Sequence, residues 1–263
     1  MDKIAIISDV HGNITALNAV LTDIKNRQIS KMISLGDNIT KCTHPDLVID
    51  TLKKECDIIL LGNCDYEICK PESKNKNFWT RNKIGEDNAN YILTLPKSYE
   101  FYLSGHLIRL FHASPHSLTQ IFNPMYSHGD NNSIEITPDK LFENSSFISK
   151  TDDDPIPNIV GYGHIHTPFV VRYKNRTLFN PGSVGVPIEM LNTDINDKTN
   201  IFSTVASYII LEGNLNDKTL SSISFQLVRV PYDIEKEIKD LQASDMPNKQ
   251  ETIRSLISAI SNR

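Results

Sequence analysis

Apolar residues occur in short runs separated by polar turns, and over the first sixty residues the runs alternate between two periods. Ile4-Ala5-Ile6-Ile7 reads as a strand over 4–8, after which Ala16, Leu17, Val20, Leu21 and Ile24 recur at helical spacing before a second strand at 32–35. Leu47, Val48 and Leu52 mark the apolar face of a second helix, with Pro45 in its first turn where a missing N–H is harmless, and a strand at 58–61 follows. Strands alternating with helices predict a mostly parallel first sheet.

Residues 66–98 break this rhythm: they are polar, contain Lys74-Asn75-Lys76-Asn77 and Trp79, and read as a mainly helical insertion. Two runs, 99–103 and 107–111, flank Ser104-Gly105-His106 and predict a β-hairpin. A second polar insertion, 113–158, carries Asp152-Asp153-Asp154-Pro155 and is expected to be a surface segment over the site, its acidic triplet a solvated loop. Beyond a strand at 159–162, residues 169–173 and 177–179 form another hairpin, 205–211 and 222–230 two further strands, and 232–242 and 249–261 two helices. Residues 192–202 read as a polar loop, and the second half is expected to be antiparallel.

The 263 residues suffice for one large α/β domain, the expected organisation over 1–263, with the two insertions as walls of a pocket. A net charge of −5, with both signs scattered, supplies no basic stripe for a nucleic acid duplex. Neither a basic leader nor a membrane-length apolar run is visible, which predicts a cytoplasmic protein with no membrane partner. Cys42, Cys56, Cys64 and Cys69 are then expected to be reduced thiols.

Metal-binding residue types follow the apolar runs in order: Asp9-Val10-His11, Gly36-Asp37, Gly62-Asn63-Cys64-Asp65, His112 and Gly163-His164-Ile165-His166, with Asn180-Pro181-Gly182-Ser183 after them. Ligands placed at strand ends would all line one edge of one sheet. In Gly163-His164-Ile165-His166 an extended backbone would put both imidazoles on one face. This series resembles the calcineurin-like metallophosphoesterases, whose pattern runs D-x-H, G-D, G-N-H-[DE], H, G-H-x-H; the match covers about the first 185 residues.

The resemblance implies a four-layer α/β/β/α sandwich of two mixed sheets and two divalent ions drawn from Mn, Fe, Zn or Co, with Mn the expected activator. Carried over by position, Asp9, His11 and His166 would hold one ion, Asn63, His112 and His164 the other, and Asp37 would bridge them. Such a pair activates a shared water against a phosphoryl group. The implied activity is hydrolysis of phosphodiesters or phosphoanhydrides of a small nucleotide-like substrate.

One position departs from the pattern: Cys64 stands where the family carries histidine, so the usual acid is absent, and Asp65 and His116 are the candidates left to assist Cys64's neighbourhood. Asn13 reads either as a substrate-phosphate contact at a helix N-terminus or as an ordinary N-cap. Gly182 and Ser183 are expected beside the substrate. The opening Ile7-Ser8-Asp9-Val10-His11-Gly12-Asn13 also resembles bacterial diadenosine polyphosphate hydrolases, the alternative substrate class. A serine/threonine protein phosphatase would show Asp-Arg-Gly where this chain reads Asp37-Asn38-Ile39-Thr40-Lys41. A protein-binding scaffold of this fold would have lost ligands, whereas all seven positions here are competent. The pattern leaves the oligomeric state open.

Overall fold

A computed structural model of the chain describes residues 1–71, 78–120, 122–124, 136–189 and 202–261. Most of the expected loop at 192–202, and Lys74 to Asn77, lie outside the described residues.

The N-terminal strand β1 (Asp2–Ile7), helix α1 (Ile14–Asn26), strand β2 (Lys31–Ser34), helix α2 (Pro45–Glu55) and strand β3 (Ile58–Ile59) follow the expected alternation. Strands β1, β2 and β3 are parallel. Beyond β3 the ladder stops, although Leu60 N still donates to Ser34 O at 2.8 Å. Helices α3 (Asn63–Cys69) and α4 (Phe78–Leu93) come next. The hairpin is β4 (Ser98–Leu103) and β5 (His106–Phe111), then come β6 (Ile159–Tyr162), β7 (Phe169–Tyr173), β8 (Arg176–Asn180), β9 (Val205–Gly213), β10 (Ser224–Pro231), α5 (Ile234–Ala243) and α6 (Lys249–Ser261).

Two five-stranded mixed sheets result, ordered β10-β9-β1-β2-β3 and β4-β5-β6-β8-β7. The second half is not simply antiparallel. Strands β5, β6 and β8 are parallel neighbours, and β9 and β10 return to extend the first sheet. Chain order and hydrophobic period say nothing about which sheet a late strand joins.

Strand β1 shows why the apolar run at its centre is continuous. Ile4 and Ile6 pack between the sheets with Ile33, Leu35, Phe101, Ile108, Leu110, Ile159 and Phe179, whereas Ala5 and Ile7 face the helices. Both faces are buried, so polar alternation disappears. Helix α2 corrects one expectation: Val48, Ile49 and Leu52 are buried, while Leu47 is exposed.

Neither insertion stands off as a wall alone. Ile68, Cys69, Ile84, Ala89, Ile92 and Leu95, from 66–98, join the core under α1 and α2. From 113–158, Phe122, Ile136, Leu141 and Phe142 cover the outer face of the second sheet, against Phe111, Val160, Tyr162 and Leu178. The fourth layer is thus built, among the described residues, from two 3-10 turns, Pro138–Phe142 and Ser146–Ile148. The acidic triplet sits in a turn where Asp154 accepts from Thr151 N at 2.8 Å, in keeping with a surface loop.

Glu237 of α5 is fully buried beside Thr15 and Cys42. Burial, followed by Asp240, lifts its carboxyl from 4.5 to about 7. The folded state therefore holds a proton that the unfolded chain releases, so this contribution is full below the ordinary value and is lost as pH rises through about 7. At roughly 1.4 kcal/mol per unit the loss is about 3 kcal/mol. Glu237→Gln should accordingly raise the Tm by several degrees at pH 8 and change it little at pH 4.5; equal shifts at the two pH values would contradict this account.

Candidate metal centre

Ligand types leave the C-terminal ends of strands in both sheets, not one. Strands β1, β2 and β3 lead into Asp9 and His11, Asp37, and Asn63, while β5 and β6 lead into His112 and His164. The two sets are tied directly: His164 N donates to Asp9 Oδ2 at 3.0 Å, and the His112 ring reaches Leu35 O. Close approach leaves no room for side chains at the glycines. A Cβ on Gly62 would lie 2.2 Å from Asp37 N, and one on Gly163 would lie 2.0 Å from Ser8 Oγ.

Backbone strain concentrates here. Asp9, His11, Asp37, His164 and His166 have φ of 53°, 50°, 55°, 67° and 61°. Each such left-handed non-glycine residue costs on the order of 1–3 kcal/mol, and it persists only where surrounding bonds fix it. The expected extended backbone at Gly163-His164-Ile165-His166 is therefore replaced by left-handed turns, which send the two imidazoles to different partners.

Asp9, His11 and His166 offer ligand atoms within 4.8 Å of one another, as do Asp37, His112 and His164. Asp37 also groups with His11 and Cys64. It thereby stands between the two trios. Asn63 Oδ1 lies 2.9 Å from His112 Nε2, so all seven expected ligand positions converge.

The donor set suits a cation. His166 Nδ1 is 2.7 Å from Val186 O and His112 Nδ1 is 2.9 Å from Leu35 O; a carbonyl only accepts, so both Nδ1 atoms carry hydrogen and both rings turn Nε2 inward, the atom that would coordinate an ion. His11 Nδ1 is held by Thr40 Oγ1 at 2.7 Å, and its Nε2 faces His166 Nε2 at 3.0 Å. Asp9 Oδ2 accepts from Ser8 Oγ at 2.6 Å, while the buried Oδ1 has no hydrogen-bond partner and lies 3.2 Å from His166 Nε2. Ring nitrogens facing one another and an orphaned carboxylate oxygen are what a divalent ion satisfies.

The same crowding perturbs the groups. Burial pushes Asp9 up, but His166 pulls it further down, below the usual carboxylate range. Burial likewise pushes Asp37 up, but His112 outweighs it and holds the carboxyl well below the usual range. For His112 burial acts downward and Asp37 upward, leaving it at about 9. His164 falls to about 4 through burial and then the His112 charge. His11 is depressed by burial, Lys41 and His166.

Other expected site residues are placed elsewhere. Asn13 caps α1 by accepting from Ala16 N at 2.9 Å and donates to Gly185 O at 3.0 Å; fully buried, it is a cap rather than a phosphate contact. Ser183 donates to Asp9 O at 2.7 Å and accepts from Val186 N at 2.9 Å, while Gly182, at φ 77°, packs against Ser207 and Pro168. Both lie behind the ligands. Asp65 is buried with its carboxylate accepting from Asn38 N at 2.8 Å and Ile39 N at 3.2 Å, so it shapes the Asp37 loop. Burial and Asp37 raise it to about 7. His116 Nε2 lies 3.2 Å from Glu143 Oε2 in the layer outside the second sheet and joins neither trio.

Cys64 remains at the centre. Its backbone N–H, in the first turn of α3, donates to Asp37 Oδ1 at 2.8 Å, and burial and Asp37 push its thiol well above the ordinary range. The thiol is neutral.

Two sheets present two carboxylate–imidazole trios, linked by Asp37, which belongs to the second and reaches His11 of the first, and together they define a metal-binding architecture. A calcineurin-like phosphoesterase superfamily domain matches residues 2–206, and the chain belongs to that superfamily. An uncharacterized protein of Methanocaldococcus jannaschii is 28% identical over 259 residues, covering 93% of both chains. Among solved structures, a metallophosphoesterase from Sphaerobacter thermophilus aligns with a TM-score of 0.67 at 22% identity, over 98% of this chain and 99% of that one. A Pyrococcus horikoshii protein aligns with 0.65 at 17%, over 97% and 98%. Among the described residues no helix is long and apolar enough to cross a membrane.

Residue types announced the groups that could hold a metal but not what orients them. Thr40, Leu35 O and Val186 O act through contacts between loops far apart in sequence. No local spacing carries such a signal.

Proposed function

We propose that the chain is a metal-dependent phosphodiesterase acting on small nucleotide-like diesters or phosphoanhydrides, with Mn the best activator. The observation that supports it best is Asp37 between the two trios. Asp9, His11 and His166 would hold one divalent ion, Asn63, His112 and His164 a second, and Asp37 both. When bound, such a pair supplies Lewis acidity toward phosphoryl oxygens and lowers the pKa of a water between them.

The protein's own part is orientation. Val186 O and Leu35 O fix the ring tautomers of His166 and His112, and Thr40 fixes the direction of the His11 ring, so little rearrangement is needed on binding. Asp65 and α3 hold Asp37 in place from behind. No ionisable acid other than a neutral thiol stands at position 64, and His116 is engaged with Glu143. A leaving group must therefore depart with little protonation, which favours aryl esters and anhydrides over alkyl monoesters.

Cys64→His should restore a cationic donor facing the phosphoryl group. Turnover of nitrophenyl phosphate relative to bis(nitrophenyl) phosphate, measured with Mn, should rise at least tenfold. An unchanged ratio, or a wild type that already prefers the monoester, would remove Cys64 from substrate choice.

A further inference from the structure

A cleft of about 280 Å³ opens directly off the metal centre, with Thr40, Asn63 and Cys64 at one end. Two of these three touch ligands: Thr40 bonds His11, and Asn63 bonds His112. The opposite wall is Met246, Pro247, Asn248, Glu251 and Thr252, a segment beyond the 2–206 superfamily match. Two bonds pin that segment over the cleft. Trp79 Nε1 donates to Asp245 Oδ1 at 2.8 Å, and Thr252 Oγ1 donates to Lys41 O at 3.0 Å.

We propose that this cleft is a nucleoside subsite, taking the flat, uncharged base and adjoining sugar of a phosphodiester whose phosphorus lies at the metal centre. The inference rests on the phosphoesterase reading above and names its substrate class.

The walls carry the argument. Trp79 offers an aromatic ring, with Ile68, Met246 and Pro247 as apolar neighbours, so a planar ring can be buried on entry. The volume lies at the lower edge of the roughly 300–1,000 Å³ of ligand pockets, enough for one base but not a dinucleotide. Lys41, whose charge bears on His11 and Cys64, lines the cleft and is paired with no carboxylate among the described residues. Glu251 also lines it, as does Glu67, which is ion-paired to Lys70 at 2.6 Å. Carboxylates there repel a second phosphate and accept N–H groups of a base. The distribution thus fits a neutral nucleoside with its phosphate held at the Lys41 and metal end, and disfavours a polyphosphate chain running into the cleft.

Trp79 is the only tryptophan, so its fluorescence reports on the cleft alone. With Mn present, adenosine 5′-monophosphate should quench wild-type fluorescence saturably, whereas ribose 5-phosphate should not; indistinguishable responses would overturn the subsite. Independently, Met246→Trp should lower the kcat/KM ratio of a nucleoside 5′-nitrophenyl phosphate diester to methyl nitrophenyl phosphate at least tenfold, mostly through KM. An unchanged ratio in a folded variant would also overturn it. Should wild type hydrolyse neither diester, the phosphodiesterase reading fails, and the fluorescence titration still decides whether the cleft takes a base.

Discussion

Asp37→Asn should abolish almost all metal-dependent diester hydrolysis, lowering kcat on the order of 10³-fold. The aspartate stands within reach of His11, His112 and His164, and its Oδ1 accepts from Cys64 N at 2.8 Å. An amide keeps the shape but loses the negative charge that faces His11, His112 and His164, and several kcal/mol of charge stabilisation at about 1.4 kcal/mol per tenfold gives a change of that size. Steady-state rates on bis(nitrophenyl) phosphate, with bound metal measured on the same samples, check it. A fully active variant retaining both ions would contradict the ligand assignment.

The largest stability effect is expected at Arg109, which is wholly buried on the outward side of β5. Its Nε donates to Glu100 Oε1 at 2.5 Å, Nη1 to Glu143 O at 2.8 Å, and Nη2 to Asn144 Oδ1 at 2.7 Å, so one guanidinium ties the hairpin to the layer outside it. Breaking a buried pair by removing one partner costs about 3–5 kcal/mol. Glu100 keeps Lys150 at 2.6 Å, which places Arg109→Met near the lower figure. Arg109→Lys should recover little, because an ammonium cannot span three acceptors in a planar fork. Urea unfolding should show about 3 kcal/mol of destabilisation for the methionine variant, and a loss under 1 kcal/mol would contradict the role given to this residue.

Arg109 also shows where sequence reasoning stops. Leu107 to Phe111 reads as an apolar strand with one charge to be explained, and only the fold reveals that Glu100 meets the charge across the hairpin while a segment more than thirty residues on accepts the remaining N–H groups. Elements set by local period emerged well, as at Ile159–Tyr162, Phe169–Tyr173 and Lys249–Ser261. Membership of a sheet did not, since β9 pairs with β1 across two hundred residues. The candidate ligands were readable because aspartate and histidine after buried strands have few other uses in such a series. Their geometry was not: His164 and His166 diverge through left-handed backbone that no hydrophobic pattern encodes. Asn13 and Ser183 read as polar residues beside a site, yet the chain uses them to brace it, because a strained loop needs its amides and carbonyls satisfied.

The direct test of the account is calorimetric titration of Mn into exhaustively chelated protein, with diester hydrolysis followed on the same samples. Two ions per chain should bind, and hydrolysis should be absent before addition and rise with their occupancy. Full hydrolysis by the chelated protein, or no binding of Mn at all, would contradict it.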